Sequence, residues 1–126
     1  MKPILLRFTC LFVAALGLVT FGCKRESKPP PPLPVEQIPA EFGKAFRSAP
    51  QELKALATRV TEAVQAKDYT VAYQVVQALC SSPEGTKEQK ALASRALLTL
   101  NGLLQAAASQ GDQNAAAARE LYKRNR

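Results

Sequence analysis

Few side chains of this 126-residue chain could do chemistry, because it contains no histidine, three cysteines and ten acidic residues. Without histidine, the sequence lacks the usual general base, the triads built on it and the common zinc-ligand sets. Glu84 and Glu88 stand four residues apart, but such pairs are far more often solvated acids on a helix than an acid and a base in a reaction. We therefore expect no enzyme activity, no cofactor and no metal.

The first 22 residues have the layout of a secretory signal peptide. Lys2 and Arg7 precede an uncharged stretch from Phe8 to Gly22, and Cys23 follows directly. A stretch of about 15 residues spans about 22 Å as a helix, which is less than the ~30 Å hydrocarbon core of a bilayer. This length favours cleavage over a permanent transmembrane helix, so residues 1–22 are predicted to be an export signal.

The segment Thr20-Phe21-Gly22-Cys23 resembles the lipobox of bacterial lipoproteins. Gly22 and Cys23 match that motif, whereas the two residues before them differ from the leucine and the small residue that the family usually has. The resemblance implies that Cys23 becomes the acylated first residue of the mature chain. It also implies that Lys24, in place of aspartate, directs the protein to the outer membrane of a cell with two membranes. Two alternatives stay open: an anchor lengthened by residues 4–6 and left uncut, or cleavage by the ordinary signal peptidase, which gives a secreted or periplasmic protein.

Cys80 is the remaining cysteine once Cys10 is removed with the signal and Cys23 is acylated, so it has no partner for an intramolecular disulfide. An exported protein meets oxidising conditions, which makes a free thiol notable. Cys80 lies at the apolar end of a predicted helix, and this favours a buried small hydrophobic residue. A redox-active or intermolecular thiol is the alternative.

Residues 23–35 are predicted to link the anchor to the folded part. The run from Lys28 to Pro34 contains five prolines, and proline excludes helix and central strand because it lacks the amide donor and fixes φ. A polyproline II spacer of ~3.1 Å per residue from Lys24 to Val35 would hold the domain up to roughly 37 Å from the membrane. A ligand for aromatic-lined grooves is the alternative use of such a run.

The net charge of +7 does not indicate a nucleic-acid partner, because of where the charge lies. Between Glu36 and Tyr122, nine basic residues are balanced by nine acidic ones. The excess lies in the signal, beside Cys23 and in the tail from Lys123 to Arg126. Basic residues beside an anchor favour anionic lipid by ~1 kcal/mol each, whereas a nucleic-acid interface needs a basic stripe on a folded face. We expect a membrane partner and no nucleic acid.

Residues 36–126 are predicted to form an all-α domain of four main helices after a short helical turn. Capping signals mark the helix starts: Ser48 with Gln51, Asp68, Thr86 with Gln89, and Asp112. Gly111 is predicted to end the longest helix. Short links between the helices favour two antiparallel hairpins in a small bundle.

The two predicted hairpins share a pattern in which Asp68 and Asp112 each follow a tight turn, and Ala72 and Ala116 come four residues later. The first copy, with Ala78-Leu79 and Pro83 beyond it, resembles the second-helix half of a tetratricopeptide repeat over about 17 residues. The aromatic residue and glycine expected in a first helix are missing. The resemblance implies a scaffold of helical hairpins that binds protein or peptide.

The predicted helix from Tyr69 to Cys80 contains no charged residue. Its main apolar stripe is widened by Val71, Val75 and Ala78 to about 220° of the helix surface. One interpretation is a central helix buried by neighbours on both sides. In the other, Val71, Val75 and Ala78 stay exposed and are the candidate residues for binding a partner helix.

These observations predict a membrane-tethered helical protein-interaction or scaffold module of the bacterial cell envelope, with a protein partner that the sequence does not identify. A purely structural envelope lipoprotein without a discrete ligand is the alternative. A small enzyme is a third possible class of function.

Overall fold

The computed structural model describes residues 28–124, and within that range the chain is helical without any strand. A 3-10 turn at Val35–Gln37 is followed by five helices: α1 (Ile38–Ala45), α2 (Gln51–Gln65), α3 (Tyr69–Ser81), α4 (Lys87–Ser109) and α5 (Gln113–Arg124). The all-α class is confirmed, and α1 adds a fifth helix to the four main ones predicted. The predicted signal segment and Cys23 lie outside the described residues.

Local capping sets the start of three helices, as the sequence indicates. Asp68 accepts a hydrogen bond from the Val71 amide at 3.2 Å, and Thr86 and Gln89 form a reciprocal capping box. The capping box predicted at Ser48 is wrong, because α2 begins at Gln51 with Pro50 as its N-cap and no side-chain bond. Pro50 itself has ψ of 152°, outside the helical region, and a proline disfavours a helical residue before it, so the first helical residue is Gln51.

The turns before α3 and α5 have the same construction. Lys67 has φ of 58° and Gly111 has φ of 95°, so each turn passes through one left-handed residue. The amide of Asp68 then donates to the Ala63 carbonyl at 2.8 Å, and that of Asp112 donates to the Ala107 carbonyl at 3.1 Å. Both turns are therefore Schellman motifs that lead directly into an aspartate cap.

The helices surround one core in which α3 occupies the central place. It packs against both α2 and α4, while α1 packs against α2 and α4, and α5 covers α4 and the edge of α3. Phe42, Tyr73 and Leu100 are each at most 1% exposed. Gln89 is the buried polar residue of the described range, and its Nε2 donates to the Ala45 carbonyl at 3.0 Å, which ties the end of α1 to the start of α4.

The linker differs from the free spacer that its prolines suggested, because its last part docks on α4. Leu33 is 2% exposed and belongs to the core. Arg95 Nε donates to the Pro31 carbonyl at 2.9 Å, and the Thr99 hydroxyl donates to the Leu33 carbonyl. Extended proline-rich backbone has unused carbonyl groups, so donors on α4 can hold it. At the same rise, the eight residues from Cys23 to Pro31 span about 25 Å, less than the reach expected from the sequence.

Candidate functional site

The three residues predicted to bind a partner do not form one exposed face. Val75 is 6% exposed and belongs to the core, Val71 is half-buried, and Ala78 is exposed. The wide apolar stripe of α3 is used by two neighbours, because α2 packs on one side and α4 on the other. The three residues are therefore not exposed together, and α3 packs against both α2 and α4 with Val75 buried.

Val71 instead lines an open groove of about 690 Å³ between the start of α3, the end of α4 and the outer face of α5. Its apolar surface comes from Val71 and from residues of the last two helices. Those residues are Leu103, Leu104, Ala107, Ala117, Ala118 and Leu121. Its rim is polar and includes Lys67, Asp68, Thr70, Gln74, Asp112 and Asn114. An apolar floor with a polar rim is the usual make-up of a recognition site.

Leu121 is the most exposed large hydrophobic residue of the described range. Its side chain is 52% exposed in the groove, and Leu98 follows at 49% outside it. Leu98 lines a smaller cavity with Tyr73, Leu97 and Tyr122 on the other side of α5. Two leucines of nearly equal exposure therefore lie on different surfaces, and only one of them faces the groove.

The groove sits between two aspartate-capped helix starts. Asp68 Oδ1 accepts from the Val71 amide at 3.2 Å, and Asp112 Oδ1 accepts from the Asn114 and Ala115 amides at 2.9 and 3.1 Å. The outer carboxylate oxygens remain on the exposed rim, where the ammonium of Lys67 is the basic group. Two carboxylates against one ammonium give the rim an excess of negative charge.

Cys80 lies outside the groove and is half-buried. Its sulfur is 3.9 Å from the Ser94 hydroxyl oxygen. Burial raises the pKa of the Cys80 thiol above its ordinary value, and the Ser94 contact opposes this shift.

Residues 28–124 contain no group of three or more cysteine, aspartate or glutamate side chains placed to hold a metal ion. No helix in the same range combines the length and apolar character needed to cross a membrane.

Reasoning from the sequence missed most of the groove. The helical periodicity of the sequence predicts that Leu103 and Ala107 lie on the inner face of α4, whereas both are half-buried at the groove wall. Leu121 was not singled out, although it is the largest apolar side chain in a helix of alanines and charged residues. The buried face of α5 runs through Ala115, Ala118 and Tyr122, and Leu121 falls beside that face. The position of Leu121 beside the buried face, and not on it, is the sequence feature that could have identified it as an exposed apolar side chain.

Comparisons with known protein families, with curated proteins and with solved structures find no match to this chain.

Proposed function

We propose that this chain is a lipid-anchored helical interaction module of the bacterial cell envelope, and that its groove binds a segment of another envelope protein. The attachment follows from the export-signal layout and the lipobox resemblance at Cys23. The proposal of an interaction module follows from the groove between α3, α4 and α5. We interpret α2 with α3 and α4 with α5 as two antiparallel hairpins, and their identically built turns support this arrangement.

The observation that carries the binding proposal is the half-exposed Leu121 over an apolar floor. A leucine that is 52% exposed leaves much of its surface in water, and covering it is favourable by ~25 cal/mol per Å². The half-buried Val71, Leu103 and Ala107 continue the same surface. A bound segment would cover all four side chains at once.

The chemistry of the groove also describes the partner. Apolar side chains of the segment would fill the space between α3 and α5, and the carboxylates of Asp68 and Asp112 favour a basic residue beside them. The expected ligand is therefore a short amphipathic segment with a few apolar side chains and at least one lysine or arginine.

Leu121→Lys tests the groove, with Leu98→Lys as its matched control. Both leucines are about half exposed, so both variants should fold like the parent chain. The tagged full chain is purified from solubilised membranes, and co-purified protein is quantified by mass spectrometry. Leu121→Lys should lower the yield of a stoichiometric partner about tenfold or more, while Leu98→Lys should leave it unchanged.

If both variants lose the co-purified partner equally, the groove is not the binding site. If the parent chain holds no stoichiometric protein, the purely structural envelope lipoprotein becomes the better interpretation.

Cys23→Ser tests the membrane attachment separately. This variant should accumulate as an uncut precursor that takes up no labelled palmitate, since stable anchoring needs acyl chains on the cysteine. Equal labelling of the variant and the parent would refute the lipobox interpretation.

A further inference from the structure

The linker meets the bundle in a defined direction. The carbonyl of Pro31 accepts from Arg95, and two residues later the carbonyl of Leu33 accepts from Thr99, one turn further along α4. The docked segment therefore runs parallel to α4. Continued in the same direction, the chain before Pro31 points towards the start of α4 at Lys87, which is eight residues, or about 12 Å, before Arg95.

That end of the bundle also holds two of the links between helices. Gln89 in the first turn of α4 donates to the carbonyl of Ala45 at the end of α1, so the link from α1 to α2 lies beside the link from α3 to α4. We call this the tether end and define it as residues 44–54 and 82–90. The opposite turn end comprises residues 36–41, 62–68 and 110–112; Glu36 and Pro39 share a cavity with Lys67 there.

Charged side chains are divided unequally between the two ends, although the domain as a whole is nearly neutral. The tether end carries five basic and three acidic residues, a net charge of +2. They are Lys44, Arg47, Lys54, Lys87 and Lys90 with Glu52, Glu84 and Glu88. The turn end carries one basic and five acidic residues, a net charge of −4. They are Lys67 with Glu36, Glu41, Glu62, Asp68 and Asp112.

We infer that the tether end of the domain rests on an anionic lipid surface, and that the turn end with its groove faces away from the membrane. This inference rests on the proposed membrane attachment. An anionic bilayer attracts basic side chains and repels carboxylates within a Debye length, about 8–10 Å. α4 has 23 residues and is about 35 Å long, so the two ends of the bundle lie at different potentials.

The opposite orientation is disfavoured by both observations. It would bring the five carboxylates of the turn end against the headgroups. It would also require the chain before Pro31 to turn back along the 14 residues of α4 that follow Arg95, a distance of about 21 Å that takes most of a linker of about 25 Å. Linker direction and charge distribution thus favour the same arrangement independently, and that arrangement leaves the groove accessible to a partner in the aqueous compartment.

Hydrogen exchange of the full chain in lipid nanodiscs tests the orientation. Exchange is compared between discs containing phosphatidylglycerol and discs of phosphatidylcholine alone. Amides of the tether-end links, residues 46–50 and 82–86, should exchange about threefold more slowly on the anionic discs. Amides of the turn-end links, residues 66–68 and 110–112, should not change. Salt at about 0.5 M should abolish the difference because it screens the surface charge.

Two charge variants with the same total charge provide the control. Arg47→Glu with Lys87→Glu reverses two exposed charges at the tether end, and Arg59→Glu with Lys67→Glu reverses two exposed charges elsewhere. Circular dichroism confirms that each variant is folded. The first variant should lose the slowing on anionic discs, and the second should keep it. Equal slowing at both ends, or equal behaviour of the two variants, would overturn the inference.

The outcome can be separated from that of the attachment proposal. The uncharged residues 8–22 should insert the full chain into discs even as Cys23→Ser, so orientation is measured with and without acylation. If palmitate labels the parent but no lipid-dependent slowing occurs, the orientation is wrong and the attachment stands. If palmitate never enters the chain while Cys23→Ser still shows the slowing at the tether end, the attachment is wrong and the orientation stands.

Discussion

Replacing Leu33 with alanine separates a docked linker from a free spacer. Leu33 is 2% exposed and its carbonyl accepts from Thr99. Leucine to alanine in a core costs ~2–5 kcal/mol through lost burial and the cavity left behind. Leu33 lies in a terminal segment that can detach instead of leaving a cavity, so we expect a loss of about 2 kcal/mol. In a free spacer the same change would cost almost nothing.

The measurement is urea unfolding of the chain from Lys28 onward, followed by far-ultraviolet circular dichroism. A domain of about 100 residues has ~5–15 kcal/mol of stability, so a loss of about 2 kcal/mol moves the midpoint clearly. The slope of free energy against urea should also fall slightly. It reflects the surface exposed on unfolding, and a detached segment is already exposed in the folded variant.

Three further variants make this result interpretable. Pro32→Ala changes an exposed neighbour and should alter stability by less than about 0.5 kcal/mol. Thr99→Val removes the hydroxyl that donates to Leu33 and should cost about 1 kcal/mol. Leu100→Ala, in the centre of the core, should cost ~2–5 kcal/mol. If Leu33→Ala matches Pro32→Ala while Leu100→Ala shows its full effect, the linker is not docked and the reasoning fails.

Four other substitutions test the core, two turns and the thiol. Val75→Lys puts an ammonium at a core position that is 6% exposed and should cost ~3 kcal/mol or more. A variant that melts within a few degrees of the parent would show that Val75 is not buried. Lys67→Gly should raise the unfolding free energy by about 1 kcal/mol, because glycine adopts the left-handed conformation without strain. Gly111→Ala should lower the unfolding free energy for the same reason. The opposite signs in urea unfolding would contradict the turn geometry. Burial raises the pKa of Cys80 above its ordinary value of 9.0, so iodoacetamide should modify the folded chain more slowly than the unfolded one. Above that ordinary pKa the unfolded state loses the proton first, so stability should fall as pH rises, and Cys80→Ala should reduce this fall.

Helix type and most helix starts could be predicted from the sequence because they depend on residues three or four positions apart. The Asp68 cap reaches Val71, and the Thr86 box closes on Gln89. The Ser48 prediction failed for an equally local reason, since Pro50 has an extended ψ of 152° and the helix begins only after it. Capping signals therefore locate a helix reliably only when the residues inside the first turn can also be helical.

The candidate site could be predicted only in part. Val71 was identified and lines the groove, but Val75 from the same stripe is buried and Ala78 faces elsewhere. The sequence of α3 reveals that it has more apolar surface than one neighbour needs. It does not reveal that a second neighbour, α4, covers the excess. Leu121 became a candidate only when α5 was placed beside α3, because the groove is lined by residues about 50 positions apart in the sequence.

What the sequence determined by itself is the information held within a few residues: the all-helical class, the caps that begin α3, α4 and α5, and the pattern before Cys23 that predicts an export signal. Only the tertiary structure decided that Leu33 and Val75 belong to the core, and that nearly balanced charges separate into a basic and an acidic end. The physical reason is distance along the chain. Capping and periodicity act within one or two turns, whereas docking, burial and the grouping of charges depend on how α1 to α5 pack against one another.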